Sequence, residues 1–309
     1  EILHMVPGLF IGQHAGGGKA EQIFLRGFDI DHGTDIRLTV DGMPVNMVSH
    51  AHGQGYADLH FVIPELIERV HFNKGTYSAD KGDFSTAGWV DFKTKDVLEK
   101  NTAKVEMGQY DTYRIFSAVD LLSQRAKDKG TSAYLASEYN FSNSYFDAPQ
   151  RFKRFNAVGK FNSKLGTNNL FNAAISTFSS SWNHSGQIPD RSVNAGDISF
   201  FGAIDDTEGG KTSRTNVNLK LTMPNSKGLM THQVFYSNYN FELFSNFTFF
   251  LNDPIHGDQI KQKENRNILG YNGSYTTETK LGKWPLRSTA GINYRQDFIQ
   301  NNELSHTKN

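Results

Sequence analysis

From about Thr102 onward, apolar and polar residues alternate with a period of two, the spacing that turns successive side chains to opposite faces of a β-strand. The clearest run sets Val217, Leu219, Leu221 and Met223 against Asn216, Asn218, Lys220 and Thr222. Others set Ala133, Leu135, Tyr139 and Phe141 against Tyr134, Glu138 and Asn140, and Phe155, Ala157, Gly159 and Phe161 against Asn156 and Lys160. Ala290, Ile292 and Tyr294 against Asn293 and Arg295 continue the pattern near the end. One face of each strand calls for an apolar medium and the other tolerates water. The pattern predicts nine strands, near 103–110, 112–122, 131–142, 152–165, 169–181, 213–223, 229–242, 265–280 and 286–299. Each is close to or longer than the ~9–11 residues with which a tilted strand crosses a bilayer. After the second strand the connections run short at 123–130, intermediate at 143–151, tight at 166–168, long at 182–212, tight at 224–228, long at 243–264 and tight at 281–285. Tight turns on one rim and long loops on the other are the expectation for an outer-membrane barrel. A soluble sandwich has no reason to alternate in this way, and its strands run nearer to ~5–6 residues.

Composition sharpens this picture. Phe 24 and Tyr 12 combine with a polar average, a mean hydropathy of -0.53, as strands facing two media require. No stretch approaches the roughly 18 consecutive apolar residues of a membrane helix, so a closed barrel is the only way for this chain to span a bilayer. Lys+Arg 32 balances Asp+Glu 32, which removes the electrostatic argument for nucleic acid as a partner. Cys 0 excludes a disulfide framework. An eight-strand barrel is filled by its own side chains, whereas a plugged lumen takes about 22 strands, so nine strands imply an incomplete barrel.

Residues 1–95 follow a different grammar, that of a small mixed α/β unit. Gly16-Gly17-Gly18 reads as a flexible break, Ile23-Phe24-Leu25 and Ile36 to Val40 as short strands, and Asp41-Gly42 as a turn. Pro64 to Val70 reads as one helical turn, with Pro at its start, running into a strand. Six elements occur here in a fixed order: Val6-Pro7-Gly8-Leu9, Leu25-Arg26-Gly27-Phe28, Val40 to Val45, Ile63 to Val70, Lys74-Gly75, and Gly82 through Gly88 to Lys95. In that order they resemble the plug of TonB-dependent outer-membrane receptors. Ser185 to Pro189, then Phe201 to Asp205 and Gly209-Gly210, resemble a long outer loop in one branch of the same receptors. Two departures stand out: no TonB box is visible, and Trp89-Val90-Asp91-Phe92 replaces the commoner Val-Asn-Ile stretch.

The resemblance implies an all-β membrane protein with a plug at 1–95 and the first part of a transmembrane antiparallel barrel at 96–309, in the bacterial outer membrane. It implies ligand-gated active import of a scarce nutrient, such as an iron-siderophore, another metal chelate or a metal. The TonB–ExbB–ExbD complex would supply the work, with outer-membrane lipid around the barrel and a surface lipoprotein as a further partner this scaffold accommodates. A non-transporting receptor, a signalling or adhesion barrel, and an importer of glycan or peptide remain open alternatives on this frame. No nucleophile, base and orienting group can be grouped by spacing, so no enzyme and no cofactor are expected.

The segment 46–56 matches the family's apical plug loop, and its His50, His52, Gln54 and Tyr56 are the expected substrate-facing residues, offering donors and an aromatic face. His50-x-His52 would place two imidazoles on one face of an extended chain, an arrangement that suits a transition metal or its chelate. Seven of the 11 His, namely His4, His14, His32, His50, His52, His60 and His71, fall in the first 71 residues. By the resemblance, Arg26 and Arg69 match plug arginines that pair with barrel glutamates and lock the plug. Asp190, Asp197, Asp205 and Asp206 follow no calcium-loop spacing and read as ordinary loop acidity. Gly16-Gly17-Gly18-Lys19 lacks the spacing of a phosphate loop.

Overall fold

The computed structural model describes residues 2–13 and 17–307; His14 and Gly16, both singled out above, lie outside the described residues. The first 94 residues build two small sheets. One is antiparallel, with β1 (Leu9–Gly12), β2 (Gln22–Leu25) and β3 (Phe28–Asp29) in chain order. The other contains β4 (Ile36–Val40), β5 (Met43–Pro44), β6 (Ile67–Lys74) and β7 (Gly88–Thr94) in the order β5-β4-β7-β6, with β4 and β7 parallel. Helical content in this part, among the described residues, is two 3-10 turns, Ile2–Met5 and Pro64–Leu66, the second with Pro at its start. Asp41 and Gly42 both take positive φ, 48° and 82°, and form the two-residue hairpin between β4 and β5 for which Asp-Gly is suited. Ile23, Leu25, Ile30, Ile36, Leu38, Val90 and Phe92 form the core between the sheets.

After Thr94 the chain enters nine long antiparallel strands, each paired with its sequence neighbour. They are β8 (Thr102–Gly108), β9 (Thr112–Asp120), β10 (Thr131–Ser142), β11 (Phe152–Leu165), β12 (Asn169–Asn183), β13 (Gly209–Asn225), β14 (Gly228–Ser245), β15 (Ile260–Leu281) and β16 (Trp284–His306). Connections 109–111, 143–151, 184–208 and 246–259 lie at one end. Those at 121–130, 166–168, 226–227 and 282–283 lie at the other. The expected asymmetry is therefore present from β10 onward, with one short helix in the 121–130 connection (α1, Gln124–Asp128) and one in the longest loop (α2, Asp190–Ala195).

The sheet is apolar on its outside. Phe161, Leu219, Val234 and Tyr294 lie in one cross-strand row and are all exposed, while Asn156, Asn162, Asn216, Asn218 and Gln233 are buried. A water-soluble protein reverses this, because apolar area exposed to water costs about 25 cal/mol per Å². The arrangement fits a wall whose outer face meets lipid and whose inner face meets a polar plug. Polar groups on the inner face are satisfied by the plug backbone: Asn218 Nδ2 donates to the Asp41 carbonyl at 3.2 Å, Gln233 Nε2 to the same carbonyl at 2.7 Å, and Asn272 Nδ2 to the Gly42 carbonyl at 3.1 Å.

Candidate functional site: the loop at the plug apex

Two residues at the β4–β5 hairpin tip and one long loop after β5 decide how the plug sits. A Cβ on Gly42 would stand 2.6 Å from Gln233 Oε1, so the hairpin tip approaches the wall more closely than any side chain there permits. The following segment, 46–56, runs toward the end of the wall that carries the long connections. Its neighbours are Tyr239 and Phe241, close to the end of β14, and Gln262 and Glu264, close to the start of β15.

The loop is held there by three kinds of contact. Met43, Met47, Tyr56 and Ala20 pack with Phe152, Trp182, Phe235, Tyr239, Phe241, Leu243 and Ile268 of the wall in one apolar cluster. Backbone groups of the loop are paired with wall side chains: Ala51 N–H donates to Glu264 Oε2 at 2.9 Å and Gln262 Nε2 donates to the Ala51 carbonyl at 3.1 Å. Arginines supply the third. Arg266, fully buried, donates to the Ser49 carbonyl and pairs with Glu264, and its Nη1 lies 2.7 Å from Asp297 Oδ2. Arg295 donates to the Asn46 carbonyl at 2.7 Å, and Arg214 to the Pro44 carbonyl at 3.0 Å. A β-bulge between β15 and β16 begins at Arg266 and re-aims this stretch of strand, as bulges beside functional sites do.

The four apical residues are placed differently from one another. His50 is 9% exposed, its ring stacked on Tyr56 at a centroid distance of 4.2 Å and an interplanar angle of 4°. Its Nδ1 accepts the His52 N–H at 3.1 Å, so the ring proton sits on Nε2 and is donated to Tyr239 Oη at 3.1 Å. Burial, reinforced by neighbouring His52 and by the Arg266 charge, pulls the His50 pKa well below its usual range, and the ring is neutral. Tyr56 is buried too; its hydroxyl accepts the Ala20 N–H at 2.9 Å, and burial raises its pKa well above the usual phenol value. Gln54 lies on the surface and His52 is half-buried. The structure therefore packs His50 and Tyr56 against the wall and leaves His52 and Gln54 more accessible.

For the expected metal pair, both ring nitrogens of His50 are engaged in hydrogen bonds, so this imidazole presents no lone pair beside that of His52. His52 instead meets His32, with the two Nε2 atoms 3.0 Å apart. Arg26 and Arg69 are exposed, and neither makes an ion pair among the described residues. The charged ties observed here run the other way, from wall cations to the plug: Arg114 reaches Glu65 at 2.7 Å and Lys160 reaches Asp41 at 3.2 Å. These wall residues escape sequence reasoning because each occupies an ordinary polar position of the alternation. The one usable signal is Glu264-x-Arg266, two opposite charges on one strand face.

Residues 1–89 match the family described as the TonB-dependent Receptor Plug Domain. Three solved structures are similar over nearly the whole chain. The ferric citrate transporter FecA in its unliganded form is 13% identical, with a TM-score of 0.74 over 100% of this chain and 48% of FecA. The siderophore receptor PiuA from Acinetobacter baumannii is 15% identical, with a TM-score of 0.72 over 96% of this chain and 42% of PiuA. The copper transporter OprC is 15% identical, with a TM-score of 0.67 over 96% of this chain and 43% of OprC. The chain thus spans less than half the length of each. At these identities the likeness concerns the fold: residues 1–89 match the plug family, and the strands that follow share the fold of part of the β-barrel around such a plug.

Proposed function

We propose that this chain is the gate-bearing part of a bacterial outer-membrane importer, in which residues 1–95 close the lumen and residues 96–309 begin its wall. The observation that supports this most is the placement of segment 46–56. It is a loop of the first domain, bonded to the wall near the end that carries the long connections, with side chains of differing accessibility. A ligand that passes the long connections meets this loop as the first part of the plug. A seated plug blocks diffusion, and the outer membrane holds neither ATP nor a sustained ion gradient, so passage needs work delivered from the inner membrane. TonB–ExbB–ExbD is the partner that performs it, and ligand binding at the apex is coupled to TonB recruitment at the opposite face of the plug. The substrate class favoured is a scarce metal chelate, in keeping with the ferric citrate, siderophore and copper proteins whose fold it shares.

Growth and labelled-substrate uptake test this reading, comparing a strain carrying the gene, a deletion strain and each background without TonB, under iron, copper, zinc and cobalamin limitation. A defect confined to one condition and dependent on TonB is the expected result. Equal uptake in the presence and absence of TonB for every substrate refutes energised import.

A further inference from the structure

We propose that the longest loop of the wall, 184–208, is anchored at the outer lipid–water boundary by an aromatic cluster that it builds with two neighbouring connections. This anchoring needs only that the wall faces lipid, and it stands whether or not the chain imports a ligand. Tyr110 of the 109–111 connection and Tyr145 of the 143–151 connection have ring centroids 6.3 Å apart, Tyr145 meets Phe201 of the long loop at 5.5 Å, and Phe200 lies 5.2 Å from Phe201. Polar ties fix the same approach: the Asp147 N–H donates to the Phe201 carbonyl at 3.1 Å, and the Ser199 hydroxyl donates to the Asp147 carboxylate. The loop, which leaves β12 and enters β13, therefore reaches back along the rim to the ends of β8–β11.

Packing against one another does not bury these rings. Tyr110, Tyr145, Phe200 and Phe201 remain 55%, 53%, 73% and 44% exposed, a contiguous apolar patch of the kind that marks a protein or membrane contact. The strands beneath decide between the two. On β8–β10 the outward face stays apolar up to the loop end, where Met107 pairs with Tyr113 and Tyr113 with Phe141. Farther along the same cross-strand row the outward residues are Lys153, Ser181, Lys211 and Glu242, and on β13 and β14 the apolar outward positions begin only at Val217 and Tyr236, nearer the tight turns. Barrel strands tilt, so a row perpendicular to them climbs through the membrane boundary. That boundary meets the rim beneath the aromatic cluster and lies well below the rim at β13 and β14.

The chemistry of the patch suits that level. Tyrosine places its ring at the edge of the hydrocarbon and its hydroxyl in water. Lys153, exposed and without an ion pair among the described residues, stands next to Phe141 in the row, where lipid phosphates supply its counter-charge. The 246–259 loop gives the contrast. Phe247, Leu251 and Ile255 are as exposed as the cluster, but this loop rises from β14 and β15, whose outward residues beside it are polar, so lipid does not reach it. With its tip held at β8–β11, the longest loop is fixed away from the wall partners of segment 46–56, which lie on β14 and β15.

The experiment places a nitroxide label in the full-length protein at Phe200→Cys, at Ile255→Cys and, on the lipid-facing wall, at Ile175→Cys, each in vesicles of phosphatidylethanolamine and phosphatidylglycerol. Power saturation in electron paramagnetic resonance then compares access of oxygen, which partitions into lipid, with access of a water-soluble nickel complex. The label at 175 should favour oxygen and the label at 255 nickel, while the label at 200 should fall between them, within about 5–10 Å of the headgroup boundary. Adding Phe201→Ser, which removes the ring that joins the loop to Tyr145, should shift the label at 200 toward the value at 255 and leave the label at 175 unchanged. A label at 200 as open to nickel as that at 255, or shielded from both reagents as beneath a protein partner, overturns the anchor and leaves the lipid-facing wall intact. A label at 175 that favours nickel overturns the anchor and the lipid-facing wall together.

Discussion

Replacing Arg266 by Met isolates the contribution of one buried charge to holding the plug apex. Arg266 has a fully buried side chain and bonds to Glu264, to Asp297 and to the Ser49 carbonyl of the plug. Methionine keeps much of the volume but removes every donor. Asp297 retains Arg295, whose Nε lies 2.6 Å away, so the group left uncompensated is Glu264, also fully buried. Breaking a buried pair by removing one partner costs about 3–5 kcal/mol, and the Ala51 N–H that Glu264 still accepts places the expected loss toward the lower end. At 1.4 kcal/mol per factor of ten, about 3 kcal/mol corresponds to roughly a 100-fold rise in local opening. Amide hydrogen exchange of the detergent-solubilised protein reads this directly as faster exchange across 46–56. The double variant Arg266→Met with Glu264→Gln should recover a large part of the protection, because the stranded charge is gone. Unchanged exchange in the single variant, or equal loss in the double, would refute the claim that this ion pair contributes to holding the loop.

Two further outcomes follow from the same geometry. A Cβ on Gly18 would fall 2.0 Å from the Trp182 ring, so Gly18→Val must displace either the plug turn or Trp182; the expected result is a lowered melting temperature and earlier cleavage of the plug in limited proteolysis, consistent with the 1–3 kcal/mol or more that overpacking costs (roughly). Glu208, in the 184–208 loop, is pushed up to about 7 by burial, with Asp205 adding to the effect and the Asn246 N–H and Lys19 opposing it, and His184 Nδ1 stands 3.8 Å away. Between about 4.5 and about 7 the folded chain keeps a proton that the unfolded chain has lost, so this group makes stability fall as pH rises through that window. Glu208→Gln should flatten the dependence of melting temperature on pH between 5 and 8, and an unaltered slope would show that another group sets it.

Much of the wall is legible in the sequence because two media on two faces enforce alternation, and all nine strands lie where the period-two pattern puts them. Their extents are less legible. β13 begins at Gly209, β14 runs to Ser245, β15 begins at Ile260 and β16 runs to His306, each beyond the alternating segment at the long-loop end. In Lys261 to Asn265, for one, polar residues occupy both faces, so the ladder of backbone hydrogen bonds continues while the hydrophobic signal stops. In the plug, β2, β4 and the turn into β6 are readable from local patterns. β1 is harder: Leu9-Phe10-Ile11 is too short to show a period. The apical loop is recognisable as a segment, but its wall partners are not, since Tyr239, Gln262 and Arg266 lie about 190 to 220 residues away in sequence and only the folded sheet brings them in.

The two kinds of plug contact also differ in what they resist. Apolar clusters hold the plug at the apex, through Met47 and Tyr56, and elsewhere through Ile63 and Leu66 against Leu98, Phe116, Tyr134 and Ala136. Separating them exposes apolar surface, at about 25 cal/mol per Å². Between them the wall meets backbone carbonyls of Asp41, Gly42, Pro44, Asn46 and Ser49 through amide and guanidinium donors. Such bonds are worth only about 0.5–1.5 kcal/mol each when water replaces the lost partner. A plug tied mainly this way is specific in register yet releasable once water enters. The apolar anchors and the buried Arg266 pair are then the stronger ties, and Arg266 reaches both the wall carboxylates and the loop that carries His50 and His52.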